Sequence, residues 1–253
     1  RRQGEDRSQA IQGLALASVL LICLLVSAPA RLVGLVLPSG QVAMDGFSGT
    51  VWNGSASRAL VRTAAGYLHL GSVQWQLSPW SLLLLSPRLS VDSHWGRQKL
   101  TAELVIRGQQ DLDLAEVDAR FDAGLVRHFA PVLLAGTFSL QLDTLQLREG
   151  RPVLGAGKLV WQDGRWLSPQ GPLLLGSYAL DFEQLADQPL VAQVITLAGP
   201  VEASGTVQLQ DQSYAVDIML GSEQALDPQL ERALSLIARP TQGRHHIKLE
   251  GEI

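Results

Sequence analysis

Hydrophobic positions follow two different patterns, one near the start of the chain and another over the rest. Residues 11–30 read IQGLALASVLLICLLVSAPA and carry no charged side chain. A helix rises about 1.5 Å per residue, so a helix of this length spans about 30 Å, the thickness of a bilayer's hydrocarbon core. The first pattern therefore predicts a transmembrane anchor over residues 11–30.

The charges that flank this segment predict its orientation. Three arginines lie within residues 1–7, whereas only Arg31 follows the segment closely. Lysine and arginine are enriched on the cytoplasmic side of membrane helices. We therefore expect residues 1–10 to form a cytoplasmic tail and residues 38–253 to lie in the periplasm, with the chain crossing the inner membrane once.

A cleaved signal peptide is the alternative interpretation of the same segment. Ala28 and Ala30 have small side chains at the spacing that signal peptidase recognises. We favour an uncleaved anchor, because the apolar run exceeds the 7–15 residues typical of signal peptides and Pro29 lies inside the cleavage motif. Cys23 is interpreted as a small apolar residue of the membrane helix.

Beyond Pro38 the apolar positions alternate with a period of two. Leu100, Ala102, Leu104 and Ile106 alternate with other side chains, as in a strand with one buried face. Similar alternation occurs at 68–77, 89–91, 112–121, 138–142, 214–220 and 247–249. The pattern predicts a mainly β fold, an elongated antiparallel sheet domain over residues 38–253, built as one body or as two similar halves.

Two short helices are predicted within this domain. Asp227 is a suitable N-cap and Pro228 a suitable first helical residue, so we expect a helix from Asp227 to Arg239 that packs against a sheet face. A shorter helix is predicted within residues 123–134.

Irregularities and repeats refine the strand prediction. The apolar phase changes between Leu70 and Val73 and again between Leu142 and Leu145, which predicts a bulge or break at each point. Two weak repeats favour the two-halves interpretation: G-x-[VL]-x-W at 71–75 and 157–161, and G-T-x-x-L at 136–140 and 205–209.

Composition and motifs exclude several classes of function. A net charge of −4 provides no basic field for nucleic acid. A single cysteine rules out a disulfide framework and a cysteine-built metal site. No H-E-x-x-H, nucleophile elbow or phosphate loop is present. The aspartates within 111–122 are interpreted as mostly the solvated face of one strand. We therefore assign no catalytic, cofactor-binding or metal-binding residue and expect no enzymatic activity.

The segment Gly49 to Ala56, GTVWNGSA, resembles a signature of the type II secretion system protein N family. Further segments that resemble the family follow in the same order: residues 70–79, 157–161, 175–178 and 240–244. The positions that carry the resemblance, and that we expect to serve structure or interaction, are Gly49, Trp52, Gly54, Gly71, Trp75, Pro79, Gly157, Trp161, Gly176 and Tyr178.

This resemblance implies a non-enzymatic inner-membrane component of the type II secretion apparatus. Its implied partners are other inner-membrane subunits and, through the anchor, the lipid bilayer; no nucleic acid, small-molecule substrate or cofactor is implied. The alternative is an AsmA-like, membrane-tethered β-groove module that binds lipid or another apolar ligand. The two differ in whether the Asp227–Arg239 helix closes the apolar face or leaves it as an open groove.

Overall fold

In a computed structural model the protein is dominated by β-strands. The structure describes residues 20, 23–37, 40, 42–63, 66–83, 86–108, 110–128, 132–149, 151–186, 188–210, 213–222, 225–236, 238–241 and 244–252. The strands are β1 (Val42–Gly49), β2 (Asn53–Thr63), β3 (Gly66–Leu77), β4 (Arg88–Trp95), β5 (Gln98–Ile106), β6 (Leu112–Asp122), β7 (Leu134–Arg148), β8 (Arg151–Ser168), β9 (Gly171–Gln184), β10 (Leu190–Ala198), β11 (Glu202–Gln210), β12 (Ser213–Gly221), β13 (Arg239–Thr241) and β14 (Arg244–Glu252).

Helices are short and few among the described residues. They are α1 (Val33–Val36), α2 (Pro79–Leu83), α3 (Pro228–Leu234) and the 3-10 helices Ala30–Leu32 and Ala123–His128. Residues 20 and 23–26 are also helical, and residues 27–29 are not helical. Most of the predicted anchor, 11–19 together with 21 and 22, lies outside the described residues. No helix within the described part of the chain has both the length and the apolarity to cross a bilayer.

All fourteen strands belong to one sheet. Its order is β1 to β12 in sequence, followed by β14 and β13, and every pair is antiparallel. At about 4.8 Å between strands, thirteen intervals give a sheet roughly 60 Å wide. The mainly antiparallel β prediction is confirmed, and the sheet continues without a break between the two proposed halves.

The two faces of the sheet differ in chemistry. On one face, a row of paired residues crosses β5 to β14: Leu100, Ala119, Leu140, Leu159, Leu180, Val194, Gly205, Ile218 and Ile247. The adjacent row, on the other face, contains Thr101, Asp118, Gln141, Lys158 and Asp181. We call these the apolar face and the polar face. The period of two in the sequence therefore maps onto one continuous apolar face.

No second layer covers the apolar face over the residues that the structure describes. Extensive strand contacts occur only between neighbours in the sheet. Helix α3 has seven residues, so it is about 10 Å long, one sixth of the sheet's width. It lies at the β8–β9 turn, where Oε1 of Gln229 accepts a hydrogen bond from Oγ of Ser168 at 2.8 Å. Helix α3 thus leaves most of this face open.

The buried core is correspondingly small. One cluster centres on Ala56, Ala59, Val73 and Trp75 in β2 and β3, and the other on Ala102, Val117 and Leu142 in β5 to β7. Within the described residues, no large side chain is fully buried. A single layer can only shelter side chains against their neighbours, which explains why most residues of the apolar face are half-buried.

Two local predictions are confirmed and one helix is shorter than predicted. The β2–β3 register shifts beside Gly71 and the β7–β8 register shifts between Leu142 and Thr144, where the apolar phase changes. Asp227 caps α3 by accepting from the N–H of Gln229 at 2.8 Å. The helix ends at Leu234 because the chain enters β13 at Arg239. Strand pairing there replaces the helix that periodicity extends to Arg239.

Candidate functional site: the clasp on the N-terminal segment

The turn between β1 and β2 holds three of the ten motif residues, Gly49, Trp52 and Gly54. The N–H of Thr50 donates to the carbonyl oxygen of Asn53 at 2.9 Å, and Oγ1 of Thr50 accepts from the N–H of Asn53 at 3.1 Å. Gly49 has φ of +81°, a left-handed conformation that glycine adopts without strain. These contacts fix the conformation of the turn.

Trp75 of β3 fastens this turn to the sheet. Its side chain is 5% exposed, and its Nε1–H donates to the carbonyl oxygen of Val51 at 3.0 Å. The ring lies against the backbone of Gly54, where an added Cβ would be 2.6 Å from Cζ2 of Trp75 and 2.5 Å from the carbonyl oxygen of Thr50. Only glycine fits at position 54, since any side chain would overlap both groups.

The same turn holds the N-terminal segment. The N–H of Val51 donates to the carbonyl oxygen of Ala28 at 2.9 Å, and Pro29 and Thr50 form an isolated β-bridge. Nε1 of Trp52 donates to the carbonyl oxygen of Leu25 at 2.8 Å. We call residues 49–54, Trp75 and the bound residues 25–30 the clasp.

Helix α2 adjoins the clasp at the same end of the sheet. The N–H of Leu77 donates to the carbonyl oxygen of Trp52 at 2.7 Å, and Pro79 begins the helix two residues later. Oγ of Ser81 accepts from the N–H of Arg88 at 2.8 Å and closes the connection to β4. The helix leaves Trp80 76% exposed.

The second group of motif residues lies on β8 and β9, within an aromatic ladder on the apolar face. Phe121, Phe138, Trp161 and Tyr178 are cross-strand neighbours with ring centroids 5.5 to 5.8 Å apart. The hydroxyl of Tyr178 lies 2.9 Å from the carbonyl oxygens of both Leu175 and Val201 and donates its one hydrogen to either. Burial raises the pKa of Tyr178 to about 12.

Two glycines on β8 and β9 allow close packing that any larger residue would prevent. At Gly157 an added Cβ would lie 2.8 Å from the ring of Phe182. Gly176 has φ of +139°, and an added Cβ would lie 2.5 Å from the carbonyl oxygen of Ala198. The ten motif residues therefore form two groups, one on β1–β3 and α2 and the other on β8 and β9, with four strands between them.

One aspartate within 111–122, Asp113, is mostly shielded from solvent, and the sequence interpretation is wrong for this residue. Asp113 is 17% exposed; its Oδ2 lies 2.7 Å from Nε of Arg107, and its Oδ1 lies 2.6 Å from Nη1 of Arg148. Burial raises the pKa of the Asp113 carboxyl, but hydrogen bonds and charge from the two arginines outweigh it and hold that pKa below its usual range. No group of ligands for a metal ion occurs among the residues described.

Comparison with known sequences identifies the family of this chain. The sequence model of the family described as "Type II secretion system (T2SS), protein N" matches residues 40–247. The chain belongs to the type II secretion system protein N family. A protein of this name from Aeromonas hydrophila is 29% identical over 259 residues, covering 96% of this chain and 99% of the relative. Another, from Vibrio cholerae, is 28% identical over 261 residues, with coverage of 95% and 97%.

Membership of the protein N family confirms the resemblance on which the motif assignments rest. A third relative of the same name, from Klebsiella pneumoniae, is 30% identical over 167 residues, 64% of this chain. No solved structure matches the chain. Members of this family are named as components of a protein secretion apparatus, and the family is not a known class of enzyme.

Proposed function

We propose that this protein is a non-enzymatic inner-membrane component of the type II secretion apparatus that acts through protein contacts. In this proposal the predicted anchor at 11–30 crosses the inner membrane once through its helical part, which ends at Val26, the N-terminus is cytoplasmic and the sheet is periplasmic. The observation that carries it is the clasp, which joins the apolar segment to the sheet through the 2.8 Å hydrogen bond from Trp52 to Leu25 and the Pro29–Thr50 bridge.

Exposed apolar side chains at residues 20 and 24–26, at the N-terminal end of the clasp, support a lipid environment for that end. Leu20, Leu24, Leu25 and Val26 are each 53% to 64% exposed. Transferring the exposed part of such a side chain from water into an apolar medium gains about 1–2 kcal/mol, and a bilayer offers that medium. Trp80, on the neighbouring α2, is a residue type enriched at membrane interfaces.

Single cysteines introduced in a Cys23→Ser background test the topology. Gln141→Cys lies on the exposed polar face of β7, and Ser8→Cys lies in the predicted tail. With the outer membrane permeabilised, a membrane-impermeant maleimide should label position 141 and spare position 8 until the inner membrane is opened. Labelling of both positions before the inner membrane is opened would contradict the anchor.

The sheet edges are the proposed surfaces for subunit contacts. Among the described residues, strand β1 pairs with β2 only, so its outer edge is the proposed site for a partner strand. A photoreactive residue at the exposed Ser48 of β1 should crosslink to other subunits of the apparatus, whereas one at Gln141 should not. The role in secretion fails if deleting the gene leaves secretion intact and no subunit crosslinks to β1.

A second candidate function, binding of a lipid or another apolar ligand, is favoured by the open apolar face. Closure by the helix at 228–234 would have opposed it, but this helix spans about one sixth of the sheet. Lipid that remains bound to the full chain through detergent purification, detected by native mass spectrometry, would support this candidate.

A further inference from the structure

Two cavities adjoin near the β4–β5 turn and the 3-10 helix Ala123–His128. The first, about 380 Å³, has mainly apolar walls that include Leu68, Leu70, Leu100, Ala119 and Val126. The second, about 740 Å³, has mixed walls that include Trp95 and Thr137. The two share Gln98, Arg120, Phe121 and Leu125. The two cavities therefore adjoin at these four residues, and we call the first the apolar chamber and the second the polar chamber.

The polar chamber carries excess positive charge. Its lining contains three arginines, Arg97, Arg120 and Arg127, and one acidic residue, Asp122. The positive side chains therefore outnumber the negative one by two. Asp122 is already engaged, because its Oδ1 accepts from the N–H of Gly124 at 2.7 Å. Within the described part of the chain, none of the three arginines has an ion-pair partner.

We propose that the two chambers bind an anionic phospholipid, with an acyl chain in the apolar chamber and the phosphate at the arginines. Both volumes fall within the range of about 300–1,000 Å³ that ligand sites occupy. Guanidinium groups bind phosphate through paired, charge-assisted hydrogen bonds. This inference rests on the second candidate function and assigns it a site and a ligand class.

The combination of chambers selects this ligand over simpler ones. A soluble anion would satisfy Arg97 and Arg127 but would leave the leucine walls of the apolar chamber unfilled. A neutral hydrocarbon would fill those walls but would leave the arginines without a counter-charge. An amphiphile with a phosphate head group matches both chambers at once.

Photo-crosslinking of the full chain in maltoside micelles tests the proposal. The probe is phosphatidylglycerol with a diazirine near the end of one acyl chain, and the comparison lipid is phosphatidylcholine with the same chains. We expect phosphatidylglycerol to label peptides that contain residues 68–70 and 119–126 more strongly than phosphatidylcholine does. The variant R97Q/R120Q/R127Q should reduce that labelling roughly tenfold or more, since it removes charge-assisted hydrogen bonds.

A control variant has the same change in net charge at arginines outside both chambers, R58Q/R165Q/R232Q, and should label like the parent. A second pair tests the apolar chamber: Leu100→Gln should reduce labelling, whereas Leu249→Gln, on the same face at β14, should not. Circular dichroism of each variant establishes that the sheet is retained.

The possible failures separate this inference from the proposals on which it depends. Equal labelling by both lipids, or labelling unaffected by the arginine substitutions, overturns the head-group site while leaving the second candidate function standing. Labelling confined to the N-terminal segment overturns both. Competition by glycerol 3-phosphate without any acyl-chain labelling would reduce the site to one for a soluble anion and overturn the lipid assignment.

Discussion

Replacing Trp75 by alanine should destabilise the clasp far more than the same change at Trp80. A fully buried tryptophan removes about 200 Å² from water, worth about 5 kcal/mol at 25 cal/mol per Å². A compact unfolded state lowers this to about 3–4 kcal/mol, and loss of the hydrogen bond to Val51 adds about 1 kcal/mol. Trp75 is 5% exposed and Trp80 is 76% exposed. We therefore expect about 4–5 kcal/mol for Trp75→Ala and about 1 kcal/mol for Trp80→Ala.

Hydrogen exchange of the full chain in detergent, followed by mass spectrometry, measures this effect locally. Because strands contact mainly their neighbours in the sheet, Trp75→Ala should speed exchange in β1–β3 and leave β8 and β9 close to the parent. Trp80→Ala should leave both regions nearly unchanged. Equal exchange in β1–β3 for the two variants would refute the reasoning, because the clasp would then not depend on its buried indole.

Three further predictions concern single polar groups. The pKa of Tyr178 is raised from 10.0 to about 12, so the stability of the wild type should fall as pH rises from 10 towards 12. In alkaline unfolding Tyr178→Phe should lose less stability over that window, although the variant is about 1 kcal/mol less stable at neutral pH. The pKa of Asp113 is held below its usual 3.8, so wild-type stability should fall as pH drops below about 3.8. Acid unfolding should show a weaker dependence for Asp113→Asn, which costs about 1 kcal/mol at neutral pH. Asp227→Ala should destabilise α3 by about 1 kcal/mol, read as faster hydrogen exchange over 228–234.

The sequence predicted strands where apolar and polar residues alternate and missed strands where they do not. The period of two at 100–106 corresponds to β5, and the change of phase near Leu142 corresponds to a register shift. Strands β1, β2, β9, β10 and β13 were missed. Strand β1, for example, contains two glycines, and β10 is mainly apolar in succession. Alternation alone fixes which face a residue occupies but not its partner residue on the next strand.

The clasp was predictable only in part. The motif residues around Trp52 are visible in the sequence, but the contact from its indole to Leu25 spans 27 positions, and no local pattern encodes it. The ion pairs of Asp113 with Arg107 and Arg148 were missed for the same reason, because pairing of β6 with β7 brings Arg148 close. The signal in the sequence that could have suggested these ion pairs is the presence of arginines on either side of an aspartate in a predicted strand.

Strand β3 connects the clasp to the proposed lipid chambers, and the irregularity at Gly71 makes this possible. Leu70 lines the apolar chamber, and Trp75 belongs to the clasp. In a regular strand, residues 70 and 75 would point to opposite faces. The register shift beside Gly71 places both on the apolar face. Gly71 has φ of +74°, and an added Cβ would meet the carbonyl oxygen of His94.

Gly71→Ala should therefore disturb both sites at once. Left-handed strain of about 1 kcal/mol and overlap of about 1–3 kcal/mol give a cost of about 2–4 kcal/mol. Hydrogen exchange should rise in β3 and β4, and phosphatidylglycerol crosslinking at residues 68–70 should fall in the same variant. Gly66→Ala is the control for backbone strain without overlap, since Gly66 also has a positive φ, of +128°, but its added Cβ has no atom within 4 Å. If Gly71→Ala weakens one site and spares the other, the two do not depend on a shared β3 conformation.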